Sequence, residues 1–103
     1  MDSLFAMAIT AKQKRYLRGL AHGRKVVVTV GGKGLSDSLL MELHAALDHH
    51  ELLKIKLPAL PKTERDRLLR SISAATDSEV IQAIGHTGVI FRAAAPAGID
   101  LPA

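Results

Sequence analysis

Apolar positions along this chain follow two periods in turn, and each change of period marks an element. Leu17, Leu20 and Ala21, with Tyr16 beside them, lie at helical spacing behind Thr10, which forms a T-x-x-Q capping box with Gln13. The pattern predicts a first helix ending at about His22, with Gly23 as its left-handed stop. Residues 25–30, KVVVTV, read as a buried strand. Ser36 is placed as the N-cap of a second helix, with Leu35 and Leu40 as a hydrophobic staple across it. The stripe of that helix is Leu39, Leu40, Leu43, Ala46 and Leu47, ending near His49. In ELLKIKL, Leu53, Ile55 and Leu57 alternate with Lys54 and Lys56, the mark of a strand with one wet face, so one face of the sheet is expected to be uncovered.

Pro58 and Pro61 bracket a short loop, after which Leu68, Leu69, Ile72 and Ala75 give a third helical stripe within residues 62–76. Residues 79–93 read as two strands around a tight turn at Gly85 and His86. The order helix, strand, helix, strand, helix, strand, strand predicts an α/β or α+β two-layer sandwich with a four-stranded mixed sheet. Strand–helix–strand occurs twice in it, which requires some parallel strands. Residues 1–8 are expected to be a flexible tail, with Met7 a possible alternative start. Residues 9–93 form a single domain, and residues 94–103 an irregular C-terminal tail.

Composition narrows this further. A chain of 103 residues has room for one domain, and with 3% aromatic residues its core must be aliphatic. There is no cysteine, hence no disulfide and no thiolate chemistry, which fits a cytoplasmic location. No apolar run reaches the ~18 residues of a membrane span. The net charge of +4 matters less than its placement. Lys12, Lys14, Arg15, Arg18, Arg24, Lys25 and Lys33 lie between Thr10 and Gly34 with no Asp or Glu among them. An acid-free block of this kind predicts a polyanionic partner, because each neutralised phosphate releases counterions. Taken alone, a charge run is more often a solvated helix face.

Within that block the first strand breaks into Gly31, Gly32, Lys33 and Gly34 before the second helix begins. A Walker A loop would need glycine where Ser36 stands, and a G-x-G-x-x-G fingerprint beginning at Gly32 would need glycine where Asp37 stands. G-x-x-G remains, a turn whose missing side chains let a sugar-phosphate backbone approach main-chain N–H groups, as in KH domains. Taken alone, the glycines are more often a strand-to-helix turn requiring positive φ.

The stretch 10–57, which includes KQKRYLRGLAH, GGKG followed by LS, and HHELLKIKL, resembles the CRM domain family, the YhbY-like RNA-binding proteins of chloroplast splicing and bacterial ribosome maturation. The likeness continues through EVIQAIGHTGVIFRA and so covers most of the chain. It implies a fold similar to the C-terminal domain of translation initiation factor 3. It also implies RNA binding through the G-x-x-G loop and its basic neighbours, and association with large-subunit ribosomal precursors. Two stretches depart from the family pattern. Arg24, Lys25 and Val26 replace the usual Leu-Lys-Pro before the first strand, and Gly32-Lys33 replaces Lys or Ser followed by Asn inside the loop.

The remaining chemistry is sparse. His44 and Asp48 share a helix face, but His49 turns away and no H-E-x-x-H exists, so no metal site and no cofactor are expected. His49 and His50 suit a helix C-terminus, and His22, which closes the basic helix, has either a helix-end role or a phosphate contact. No catalytic set can be assembled, so a binding module, not an enzyme, is expected, without a small-molecule substrate and as a monomer. The RNA-contact set is Lys12, Lys14, Arg15, Arg18, His22, Arg24, Lys25, Gly31, Gly32, Lys33 and Gly34. A DNA-binding module or a protein-interaction domain with a merely structural loop is the alternative, although no second recognition helix supports DNA. One Tyr, two Phe and no Trp leave little scope for base stacking on aromatic rings.

Overall fold

The computed structural model describes residues 9–103; the expected tail at 1–8 and its alternative start lie outside the described residues. Helix α1, Ala11–His22, opens on the complete capping box: Thr10 Oγ1 accepts the Gln13 N–H at 3.0 Å and Gln13 Oε1 accepts the Thr10 N–H at 3.1 Å. It closes at Gly23, but with φ −90°, so the left-handed stop is not used. The Gly23 N–H donates to the Leu20 carbonyl in a tightened last turn instead. Strand β1, Val28–Thr29, leads through the glycine loop into α2, Asp37–His50, capped by Ser36 Oγ accepting the Leu39 N–H at 3.2 Å. Then follow β2, Leu52–Lys56; α3, Lys62–Thr76; β3, Glu79–Ile84; and β4, Thr87–Phe91.

The sheet is four-stranded and mixed, in the order β1-β2-β4-β3. β1 runs parallel to β2 with Val28 opposite Ile55, and β2 and β3 each pair antiparallel with β4. This is an α+β fold. Its main core lies between one sheet face and α2 with α3: Leu39, Leu43 and Leu47 from one helix and Leu69 and Ile72 from the other close over Leu53, Ile55 and Ile90. Alternation along β2 puts Leu53, Ile55 and Leu57 into this core, as the pattern requires.

The other face is not bare. Leu17 and Ala21 of α1 pack on Leu52, Ile81, Val89 and Phe91, joined by Ile99 and Leu101 from the chain end. Val80 faces the first core, and a β-bulge between Val80 and Gln82 then puts Ile81 and Gln82 both on this second side, opposite Val89. Leu17 is wholly buried, and truncating it to Ala would cost about 2–5 kcal/mol. α1 covers only the end of this face where β2 begins. Toward the glycine loop the face stays open, with Lys56 and Ile84 exposed on it.

Two expectations about packing are corrected, and the C-terminal segment gains a contact. Residues 25–30 are not a continuous buried strand: β1 lies at the sheet edge, pairs over two residues, and leaves Val26 and Val27 41% and 47% exposed while Val28 and Val30 are buried. Ala75 is exposed, and Thr76 takes the core position because its hydroxyl donates to the Ile72 carbonyl at 2.8 Å, so no polar group is stranded. Residues 92–103 have no regular structure but are docked through the second core and through the Gln13 side chain, whose Nε2 donates to the Pro102 carbonyl at 2.9 Å.

Candidate nucleic-acid interface

The loop at the C-terminal end of β1 is a tight turn closed by the Gly34 N–H donating to the Gly31 carbonyl at 3.0 Å. Only Gly34 of the three glycines has a left-handed backbone, φ +72°, which is where a Cβ is disfavoured. Gly31 and Gly32 are exposed, and a Cβ on either would meet nothing within 4 Å. Neither backbone angle nor space requires glycine at these two positions, and both leave the outer surface of the turn uncovered. Lys33 stands exposed at its tip, and the N-terminus of α2 follows directly, adding a partial positive charge. Behind the turn a cleft of about 280 Å³ separates Lys33 and Gly34 from Leu60 and from Glu64, Arg67 and Leu68 of α3.

The basic residues do not form one patch with this loop. Lys12 and Arg15 are exposed on α1, and Lys14 and Arg18 are half-buried along it. Lys14 lines a groove with Lys62, Asp66 and Arg70 of α3 beside Val80 and Ala83 of β3. That groove runs along the β3 edge, whereas the loop hangs from β1 at the opposite edge of the sheet. His22 borders a depression on the open sheet face, with Lys54, Gln82, Ile84, Thr87 and Val89 around it.

Two lysines fill the space between. Lys54 and Lys56 point to the open face, Lys56 directly opposite Thr29 at the root of the loop. They are missing from the sequence-derived set, although their alternation with Leu53, Ile55 and Leu57 signals a polar face there. With them a basic path leads from α1 across the sheet to Lys33.

Arg24 leaves the set of free cations. Its guanidinium donates to the Leu52 carbonyl at 3.2 Å and the His50 carbonyl at 3.4 Å, and the Lys54 ammonium donates to the Arg24 carbonyl at 3.2 Å. Its fork is spent on bridging the chain before β1 to the α2–β2 junction. Lys25 beside it is exposed. The other histidines are structural in setting: Arg92 reaches His44 Nδ1 and Asp48 Oδ1, both at 2.9 Å, and the rings of His49 and His50 meet edge to face at 4.6 Å. Among the described residues no group of His, Cys, Asp and Glu is arranged to hold a metal ion, and no helix is long and apolar enough to cross a membrane.

The sequence that folds in this α-β-α-β-α-β-β order matches a known family along nearly all of the described residues. The model of the CRS1 / YhbY (CRM) domain aligns with residues 9–92. The chain belongs to that family. Among CRM relatives, an RNA-binding protein of Haemophilus influenzae is 38% identical over 94 residues, covering 91% of this chain and 95% of its own. A probable RNA-binding protein of Pseudomonas aeruginosa is 36% identical over 86 residues, covering 84% of this chain and 83% of its own. The fold superposes with a TM-score of 0.81 on the solution structure of a hypothetical Staphylococcus aureus protein, described as a candidate RNA-binding protein. That protein is 33% identical, and the match covers 92% of this chain and all of that one.

Proposed function

We propose that this CRM domain binds structured RNA, chiefly through phosphate and shape contacts, and acts as a monomeric assembly factor on precursor rRNA of the large ribosomal subunit in the cytoplasm. It is a binding module without catalytic chemistry. The observation that carries the reading is the uncovered outer surface of the Gly31–Gly34 turn, with Lys33 at its tip and Lys54 and Lys56 continuing the positive path. The names of the relatives support RNA as the polyanion, and the ribosomal target rests on the family resemblance. The dearth of aromatic residues fits phosphate contact better than base stacking.

The decisive variant is Gly32→Asp/Lys33→Asp. Gly32 has ordinary φ and open space around it, so the substitution leaves the fold intact. It removes one charged contact, of order 1.5–3 kcal/mol, and turns two carboxylates toward the phosphates. RNA affinity falls at least ~10-fold with an unchanged melting temperature. Normal affinity in this variant means that the glycines only turn the chain. Crosslinking and sequencing of the bound cellular RNA identifies the target; recovery of messenger or transfer RNA in place of rRNA precursors rejects the assembly role.

A further inference from the structure

The cleft behind the glycine turn contains a group that phosphate contact does not use. One wall is the turn itself, from Gly32 to Gly34; the other is the first half of α3. Leu68 forms part of the lining, and a Cβ built on Gly34 would lie 3.7 Å from its Cδ1, ordinary contact distance, so the turn and α3 already touch at this point. Leu60 adds a second apolar surface, and Lys33 on the turn and Arg67 on α3 each bring a cation to the lining. Glu64 also faces the cleft. Among the described residues the salt bridges join Lys62 to Asp66 and Arg92 to Asp48, so Glu64, Arg67 and Lys33 are unpaired.

An unpaired carboxylate in the same cleft as two cations is a poor neighbour for a phosphate alone. It is a good neighbour for a nucleotide whose phosphate lies on the cations and whose base offers hydrogen-bond donors. A carboxylate only accepts, so it selects bases by their donors. Guanine presents an imino and an amino donor side by side on its Watson–Crick edge, matching both carboxylate oxygens. Cytosine and adenine present one amino donor, and the single imino donor of uracil is flanked by carbonyls that repel a carboxylate.

We infer that this cleft takes one unpaired nucleotide of the bound RNA and reads it as guanine, with Glu64 accepting from the base edge, Arg67 and Lys33 holding the phosphate, and Leu60 and Leu68 lying against the base. The inference rests on the RNA-binding reading and adds a base preference, supplied by α3, which lies outside the acid-free block. Glu64 in the first turn of α3 also favours the helix dipole. A residue with that role alone would not affect base choice.

The test uses the whole chain and fluorescein-labelled octauridine, unsubstituted or carrying one central guanosine, inosine, adenosine or cytidine, followed by anisotropy. The guanosine oligonucleotide binds about fivefold or more tightly than octauridine, within the range expected for a bidentate base contact. Inosine, which lacks the amino group, falls between them. Glu64→Gln brings all five oligonucleotides to within about twofold of one another without altering the melting curve, while Arg67→Ala weakens all five alike and reduces the salt slope by about one. Equal binding of all five by the unaltered protein, or a guanosine preference that survives Glu64→Gln, overturns the cleft assignment while leaving RNA binding standing. Absence of binding to every oligonucleotide and to total rRNA overturns both.

Discussion

Glu51 holds Ile99 by its backbone. The carboxylate Oε1 accepts the Ile99 N–H at 2.9 Å and the Gly98 N–H at 3.0 Å, while Oε2 accepts the Ala94 N–H at 2.6 Å. Glu51 is 5% exposed and sits at the C-cap of α2 with φ +60°, a conformation that costs a non-glycine residue of order 1–3 kcal/mol. The bonds outweigh that cost because they are charge-assisted and satisfy a chain end that has no ladder of its own.

Replacing Glu51 by Gln therefore destabilises the fold by about 1–3 kcal/mol, since an amide nitrogen faces an N–H it cannot accept. Glu51→Gly relieves the backbone strain yet still lowers the melting temperature. Faster hydrogen exchange at Ala94, Gly98 and Ile99 accompanies both. Gly98→Ala acts from the other side, because a Cβ there would lie 3.0 Å from Glu51 Oε1.

Arg24 and Lys25 are neighbours with opposite duties. Arg24→Ala removes the bonds to the Leu52 and His50 carbonyls and lowers stability by about 1.5–3 kcal/mol, and Arg24→Lys does not restore it because an ammonium lacks the planar fork. Lys25→Ala leaves the melting temperature unchanged. Thermal melts of the three variants check this.

If four to six cations meet phosphates, the logarithm of RNA affinity falls with the logarithm of salt with a slope of roughly −3 to −5. Lys56→Gln reduces that slope by about one and weakens different RNAs to the same degree. A slope near zero rejects the phosphate path, and an unchanged slope in the variant removes Lys56 from it.

Gly34→Val lowers the melting temperature because its φ of +72° is closed to β-branched residues, whereas Gly31→Val does not. Calorimetry on the pair separates the glycine that turns the chain from those that leave it uncovered.

Asp66 titrates below its ordinary value of 3.8, first because the Lys62 ammonium donates to it at 2.8 Å; desolvation opposes this, and the nearby positive charges of Lys62, Arg70 and Arg65 add to the lowering. A depressed carboxyl in the folded state contributes stability above the unfolded value and loses it as pH falls through the lower folded one. The pair is exposed and the contribution small. NMR titration places the Asp66 midpoint below 3.8, and Lys62→Ala moves it back up.

Local signals proved legible wherever a residue's role depends on its own neighbours in the chain. Thr10 with Gln13, Ser36 with the Leu39 N–H, and the limits of α3 are of this kind. Roles set by distant partners were not. Arg24 looks like its basic neighbours until the carbonyls of residues 50 and 52 come beside it, and Glu51 looks like an ordinary surface acid until the chain end folds over it. Thr76 carries no apolar signal in the sequence, and it can be buried because its hydroxyl is satisfied within its own helix. At the candidate site the glycine turn and Lys33 were readable; Glu64 and Arg67 were not, because nothing in the chain between them and the loop announces that they face one another.

β1 is the shortest strand of the sheet and has a neighbour on only one side, where the Val27 N–H donates to the Lys54 carbonyl at 2.9 Å and the Val30 N–H to the Lys56 carbonyl at 2.8 Å. So few ladder bonds can part without disturbing the pairing of β2 with β4. The jaw that carries Gly31–Gly34 is thus mounted on the part of the sheet that peels most easily, while the jaw formed by α3 is fixed to the core by Leu69 and Ile72. A grip with one compliant side and one rigid side can close on backbones of different curvature without unfolding anything else.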